Sequence, residues 1–273
     1  MKTFAKLLIS GIVVVGLVSS RAEARGYLST GMPEDNAMVA NGQGISSPSF
    51  WDGLSGANPA GLIRNTDFKL QGTAATFDDS TNNMRESGAI LGGNGTVGAG
   101  VEYSNYDAGP FPTGQHQINY GLALNLETLH TAFGVSGHTV SNNGGSTYDV
   151  GALIALTSQL HLGAVIPNFT NGLHVVAAGF TYAADPMVDF VVDAGYQVRG
   201  DQQGIVKPGI SIHTNLIQAT AAYGFRFTGD SDDVLVTTKF TAGLGIKLAE
   251  MLLVEYEYRG LPEHRVGLTL RFN

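Results

Sequence analysis

Glu263-His264-Arg265-Val266-Gly267-Leu268-Thr269-Leu270-Arg271-Phe272-Asn273 is the stretch whose reading decides the fold. Val266, Leu268, Leu270 and Phe272 are apolar, and Arg265, Gly267, Thr269 and Arg271 between them are polar or small. That period of two gives a strand with one greasy and one hydrophilic face, so its two sides meet different surroundings. A soluble sheet can carry the same pattern. What sets this chain apart is that the pattern recurs through most of its length, behind an export signal.

From Asp67 onward the sequence breaks into alternating segments of roughly ten residues, the length of a tilted β-strand crossing a bilayer. The periodicity predicts strands near 67–77, 85–92, 96–106, 116–126, 129–140, 146–156, 159–168, 172–183, 187–198, 204–214, 217–228, 233–247, 251–259 and 263–272. The links alternate between tight turns, such as Glu127-Thr128 and Asn215-Leu216, and longer polar stretches, such as Asp107 to Gln115. Short periplasmic turns alternating with outer loops are the pattern of an all-β, antiparallel up-and-down transmembrane barrel. The even count is fourteen; loss of 85–92 and one other strand would make it twelve.

The faces follow from the same alternation. Ile118, Tyr120, Leu122, Leu124 and Leu126 would face lipid, as would Val188, Phe190, Val192, Ala194 and Tyr196. Their alternates include Gln117, Asn119, Asp189 and Asp193, which a wet lumen tolerates and lipid does not. Tyr103, Tyr106, Tyr148, Tyr182, Tyr256 and Tyr258 recur near strand ends, where an interfacial girdle belongs.

Composition agrees. Charged residues make up only 14% of the 273 residues, glycine numbers 37, and cysteine is absent. That excludes a disulfide framework, thiolate metal sites and a lipidated cysteine. The formal net charge is −8. An acidic chain without a basic patch excludes nucleic acid as a partner.

Residues 1–24 read as a cleavable secretory signal, with Lys2 and Lys6, an apolar run from Leu7 to Val18, and Ala22-Glu23-Ala24 before Arg25. The run is too short for a spanning helix. Residues 67–273 form the barrel unit, destined for the bacterial outer membrane. Residues 25–66 lack alternation and are rich in Gly, Ser, Asn and Pro. They read either as a flexible periplasmic lead-in or as a plug folded into the barrel mouth. Trp51 favours the plug, because its large ring needs apolar surface to cover it.

A signal peptide, a Gly/Ser-rich segment, and then Asn58-Pro59-Ala60-Gly61-Leu62 just ahead of the first strand resembles the long-chain fatty-acid transporter family, the FadL-like barrels. The resemblance implies a 14-stranded barrel whose N-terminal segment, closed by Asn58, Pro59 and Ala60, plugs a lumen conducting hydrophobic molecules. It also implies that a strand kink opens a lateral exit. Pro167 and Pro208 lie within the expected strands and remove ladder donors, so they are the candidate kinks. The chain departs from the family in its short, polar outer loops, where Phe111 and Phe169 are among few aromatics, and in Asn273 after Phe272. Phe272 remains the candidate signal for the barrel-assembly machinery.

Chemistry is sparse. His130, Ser136 and His138 fall on the inner face of one expected strand and Asp149 on the next, but i and i+2 are about 7 Å apart. A lumen polar network is the better reading than a nucleophile with its base. Asp78-Asp79 and Asp230-Ser231-Asp232-Asp233 are loop carboxylates without the calcium-loop pattern. No enzyme, cofactor or metal is expected. The lumen candidates are Glu102, Asp149, Asp189, Asp193, Lys207, Arg226, Lys239, Glu255, Glu257, Arg265 and Arg271, with opposite charges able to pair across the last hairpin. The reading is passive uptake of small hydrophobic molecules. The alternatives are a structural or secretion-associated barrel, or a narrow porin. Partners would be outer-membrane lipid and lipopolysaccharide.

Overall fold

The computed structural model describes residues 58–64, 66–77, 84–106, 115–141, 146–171, 175–198, 204–227, 238–259 and 263–272. Residues 1–57 with Trp51, the Asp78-Asp79 and Asp230–Asp233 clusters, Phe111 and Asn273 lie outside the described residues.

Fourteen antiparallel strands follow in chain order: β1 (Phe68–Phe77), β2 (Met84–Gly93), β3 (Val97–Tyr106), β4 (Gln115–Leu126), β5 (Thr131–Val140), β6 (Ser146–Ala155), β7 (Leu160–Ile166), β8 (Val175–Asp185), β9 (Val188–Gln197), β10 (Gly204–His213), β11 (Ile217–Phe227), β12 (Thr238–Ala249), β13 (Leu252–Arg259) and β14 (Glu263–Phe272). Each pairs with its sequence neighbours, and β1 pairs β14 to close the ring. Closure satisfies every backbone edge, which a spanning sheet requires. Fourteen strands, not twelve, is the count, and the segment near 85–92 is a full strand.

At the seam Phe68 lies opposite Phe272, with ring centroids 6.0 Å apart. Both rings are exposed on the outer face at the turn end of the barrel.

Two boundaries correct the sequence reading, at Pro167 and at His130. β7 stops at Ile166, so Pro167 lies past the strand end rather than within it. His130 precedes β5 instead of lying on it, and takes the left-handed conformation at φ 49°. β12 begins at Thr238, and residues 233–237 are outside the described set.

Three of the tight turns share one device, a side-chain oxygen accepting from the next backbone amides. Asn94 Oδ1 accepts from Thr96 N and Val97 N at 3.0 and 2.8 Å. Thr157 Oγ1 does so for Gln159 and Leu160, and Thr214 Oγ1 for Leu216 and Ile217. These local bonds stand in for ladder partners where the chain reverses.

The outer face is the apolar one. Ile118, Leu124, Phe190 and Tyr223 are exposed, whereas Gln117, Asn119, Asp193 and Thr220 on alternate positions are buried. Near the loop end the outer tyrosines have partners that periodicity does not reveal. Tyr103 Oη and His116 Nδ1 share a hydrogen bond of 2.7 Å, and Tyr256 Oη and His264 Nδ1 another of 2.7 Å. Tyr120 lays its ring across Gly137, where any Cβ would collide with it, and donates to Tyr148 Oη at 3.3 Å. Aromatic cover of a strand glycine restores the side-chain packing that glycine lacks.

Candidate functional site

The inner wall is organised around Asn58–Arg64. Pro59 has no amide hydrogen and a fixed φ, so it opens a short turn readily, and Pro59–Arg64 forms one 3-10 turn. Asn58 holds it in place. Its Nδ2 donates to the carbonyls of Ala152 (2.8 Å) and Ala164 (3.2 Å), which are register partners on β6 and β7. Its Oδ1 accepts from Ala60 N at 3.1 Å, and its own carbonyl accepts from Gly61 N at 2.9 Å.

The wall leaves room for this turn because three inward positions are glycine. A Cβ at Gly98 would strike the Leu62 carbonyl, one at Gly134 the Pro59–Ala60 peptide, and one at Gly151 the Asn58 side chain. Beside these hollows the turn buries apolar surface. Ala60 packs with Ala132 and Leu153, Leu62 packs with Ala89, Leu91 and Ala123, and Ile63 touches both groups. Full burial of one leucine is worth about 1.5–3 kcal/mol. Asn58, Pro59 and Ala60 are thus buried inside the barrel against β2 to β6.

Farther from the turn end, β3 to β6 carry a dry polar network. Gln117 Nε2 donates to Asn119 Oδ1 at 2.6 Å, and Asn119 Nδ2 donates to Glu102 Oε2 at 3.3 Å. His138 sets Nδ1 2.8 Å from Asn119 Oδ1 and Nε2 2.8 Å from Asp149 Oδ2. Asp149 Oδ1 accepts from Asn168 N at 2.8 Å, which ties the residue after Pro167 to the lumen.

Ser136 Oγ lies 3.5 Å from His138 Nε2, nearer than backbone spacing alone implies. Yet Asp149 occupies that same ring nitrogen. A catalytic triad puts serine and carboxylate on opposite nitrogens. The arrangement braces a wall and activates no nucleophile.

β7 to β11 line the lumen differently. One row of register partners runs Val165, Ala177, Gly195, Ile205, and a second runs Thr181, Val191, Gly209, Ala222. Val165, Val175, Ala177, Val191, Ile205 and Ala222 are all buried. Between the rows Asp193 faces its partner Lys207, 0% and 1% exposed, and the Asp193 carboxylate lies over Gly179. This wall alternates apolar and charged layers.

Pro208 lies in β10 on the outer face. On the β9 side pairing runs unbroken through Lys207↔Asp193 and Pro208↔Val192. On the β11 side it skips from Val206↔Phe225 to Gly209↔Ala222, leaving Lys207 and Pro208 unladdered against Tyr223 and Gly224. A proline supplies no amide donor for that ladder.

Other sequence candidates fall as follows. Asp189 is inward and buried, 3.7 Å from His213 Nδ1. Glu255 is buried and faces Gly267, so it has no arginine directly opposite. Arg271 lies opposite Lys69 at the turn end. Glu257 and Arg265 are register partners, Arg226 pairs Ile205, and Lys239 pairs Gly224. The side chains of those four lie outside the described residues.

At the turn end a cavity of about 390 Å³ opens beside the Asn58–Arg64 turn. Ile63, Arg64, Glu127, His130, Leu153 and His161 help line it. Sequence reading missed both this cavity and the glycine hollows. Glycine at inward parity on β3, β5 and β6 was the available signal for the hollows.

No protein-family model matches the chain, and no curated protein matches it. Among solved structures the barrel is similar to CymD, a monoaromatic hydrocarbon channel (TM-score 0.60, 10% identity, 86% of this chain and 97% of that one). It is also similar to the Ralstonia pickettii toluene transporter TbuX (0.57, 10%, 79% and 92%). A third likeness is the Acinetobacter baumannii outer membrane protein Omp33 (0.50, 12%, 76% and 98%). At these identities the likeness is one of fold. The chain folds as an outer-membrane-type barrel of fourteen strands, as the FadL-like resemblance implied.

Proposed function

We infer that the barrel mediates passive uptake of small hydrophobic molecules across the outer membrane, by diffusion and without cofactor or ATP. The observation that carries this reading is the buried apolar row Val165, Ala177, Gly195, Ile205 on β7 to β10, with Val191 and Ala222 beyond it, in a lumen whose opposite wall seats the Asn58–Arg64 turn as a stopper. Apolar solutes gain from such a wall, whereas ions meet no described continuous wet path through it. The likeness in fold to two barrels described as a hydrocarbon channel and a toluene transporter supports the reading. The unladdered step at Pro208 offers a place where cargo leaves sideways between β10 and β11. Outer-membrane lipid, lipopolysaccharide and the assembly machinery, through Phe272, are its partners.

The test combines planar-bilayer recording with uptake of radiolabelled toluene by cells making the full-length protein. Uptake without steady ion conductance is the expected result. Steady conductance would make it a porin.

A second reading, a non-transporting structural or secretion-associated barrel, rests on the solvent-closed network from Glu102 to Asp149. Absent uptake together with electrical silence, in the intact protein and after deletion of residues 25–62, would select it.

A further inference from the structure

The cavity at the turn end combines features that the uptake reading does not use. Arg64 enters it from the Asn58–Arg64 turn, His130 from the β4–β5 turn and His161 from the first residues of β7, so a guanidinium and two imidazoles converge on one space, with the Asn125 amide beside them. A single carboxylate, Glu127, joins them from the β4–β5 turn, and Ile63 and Leu153 supply apolar wall. Arg64 is also within electrostatic reach of His161 and Asp189. The site is therefore mixed in sign and does not suit a simple anion. The volume, about 390 Å³, is that of a small-ligand site.

The β4–β5 turn that walls the cavity and the β6–β7 turn next to it both expose leucine. Leu129 on the β4–β5 turn is 63% exposed and Leu156 on the β6–β7 turn 54%. Comparable exposure recurs around the rim at Met187, Leu216, Leu248 and Met251. A protein partner would cover one arc of a barrel. Apolar groups spread around the whole rim, continuous with the exposed outer face of the strands, fit a lipid phase. The turns then lie at the headgroup level of the inner leaflet, and the β4–β5 turn that carries Glu127 and His130 borders the cavity at that level.

We propose that this cavity seats the headgroup of a phosphoethanolamine lipid from the inner leaflet. The phosphate is received by Arg64 with the two imidazoles, since a guanidinium matches phosphate geometry. The ammonium, which retains three N–H donors, is received by Glu127. The acyl chains leave over Leu129 and Leu156. Mixed sign in the cavity thus mirrors mixed sign in the ligand. The proposal needs only that the barrel lie in a membrane, and it stands whether or not hydrocarbon is the cargo.

The test is native mass spectrometry of the full-length protein in detergent, titrated with phosphatidylethanolamine, phosphatidylcholine and phosphatidylglycerol of matched chains. One phosphatidylethanolamine should be retained about tenfold over phosphatidylcholine, whose trimethylated nitrogen cannot donate to Glu127. Glu127→Gln should bring the two lipids level while leaving the heat-modifiable mobility of the folded barrel unchanged. A Leu129→Asn, Leu156→Asn double variant should weaken retention of every lipid alike and leave the ratio between the headgroups unchanged. Equal retention of all three lipids would overturn the proposal. So would unchanged discrimination in Glu127→Gln, or displacement of the lipid by an equal concentration of soluble glycerophosphoethanolamine.

Discussion

Asn58 donates its side-chain amide to the carbonyl of Ala152 at 2.8 Å, joining the turn that precedes β1 to the inner wall of β6. Because the same amide reaches Ala164 on β7, one side chain fastens the turn to two strands. Asn58→Ala removes both bonds and the Oδ1 contact that shapes the turn. The expected cost to the seated state is about 1–3 kcal/mol, the range for losing a buried hydrogen-bonding partner. Planar-bilayer recordings should then show brief openings that the parent protein lacks. A silent Asn58→Ala barrel would mean that packing of Ala60 and Leu62 alone holds the turn.

The three inward glycines make a stronger test, because they act by shape. Gly134→Leu puts a side chain where the Pro59–Ala60 peptide sits. The strand itself tolerates leucine, and its neighbours on the ladder are unaffected. The stopper should be displaced while the barrel stays folded, giving steady ion current and faster proteolysis at residues 58–64. Glycine's role here is close approach of one backbone to another.

His138 and Asp149 are a buried pair, and breaking such a pair leaves one group without its partner. His138→Leu should destabilise the barrel by about 1–3 kcal/mol, the range for a buried hydrogen-bonding partner left unmatched, in urea titrations followed by far-UV dichroism. The His138→Leu, Asp149→Leu double variant should cost less than the sum of the two single changes, since apolar replacement of both partners removes the desolvation penalty. Strict additivity would show that the two residues do not act as a unit.

Pro208 interrupts the β10–β11 ladder and leaves the β9–β10 ladder whole. Pro208→Ala supplies the missing amide. Hydrogen exchange at Tyr223 and Gly224 should slow relative to the parent, with Val191 and Asp193 unchanged. If hydrophobic cargo leaves through this step, toluene uptake should fall in the same variant. Unaltered exchange at Tyr223 and Gly224 would place the cause of the interruption elsewhere than in the proline.

Strand identity was legible because lipid on one side and a filled lumen on the other impose a period of two on every crossing. Gln117, Asn119, Asp189 and Asp193 are inward, and Ile118, Phe190 and Tyr196 outward, as that period requires. Where the period gives no information the reading failed. His130 has the parity of an inward strand residue, but the turn takes it left-handed at φ 49° and into the turn-end cavity. Pro167 ends β7 because the chain then turns, with Asn168 at φ 51°. Ser136 and His138 meet because side chains lean along a strand, a freedom that Cα spacing does not contain.

By itself the sequence determined a closed up-and-down barrel, with fourteen strands as its first count, and the faces of the crossings it assigned, since alternation between two solvents is written residue by residue along the chain. Only the tertiary structure decided what the lumen contains. Gly98, Gly134 and Gly151 become a seat for Asn58–Arg64 only once β3, β5 and β6 are brought together around β4. Val165, Ala177, Gly195 and Ile205 become one apolar row only through the register of four strands. Long-range register sets these contacts, and no local pattern carries it.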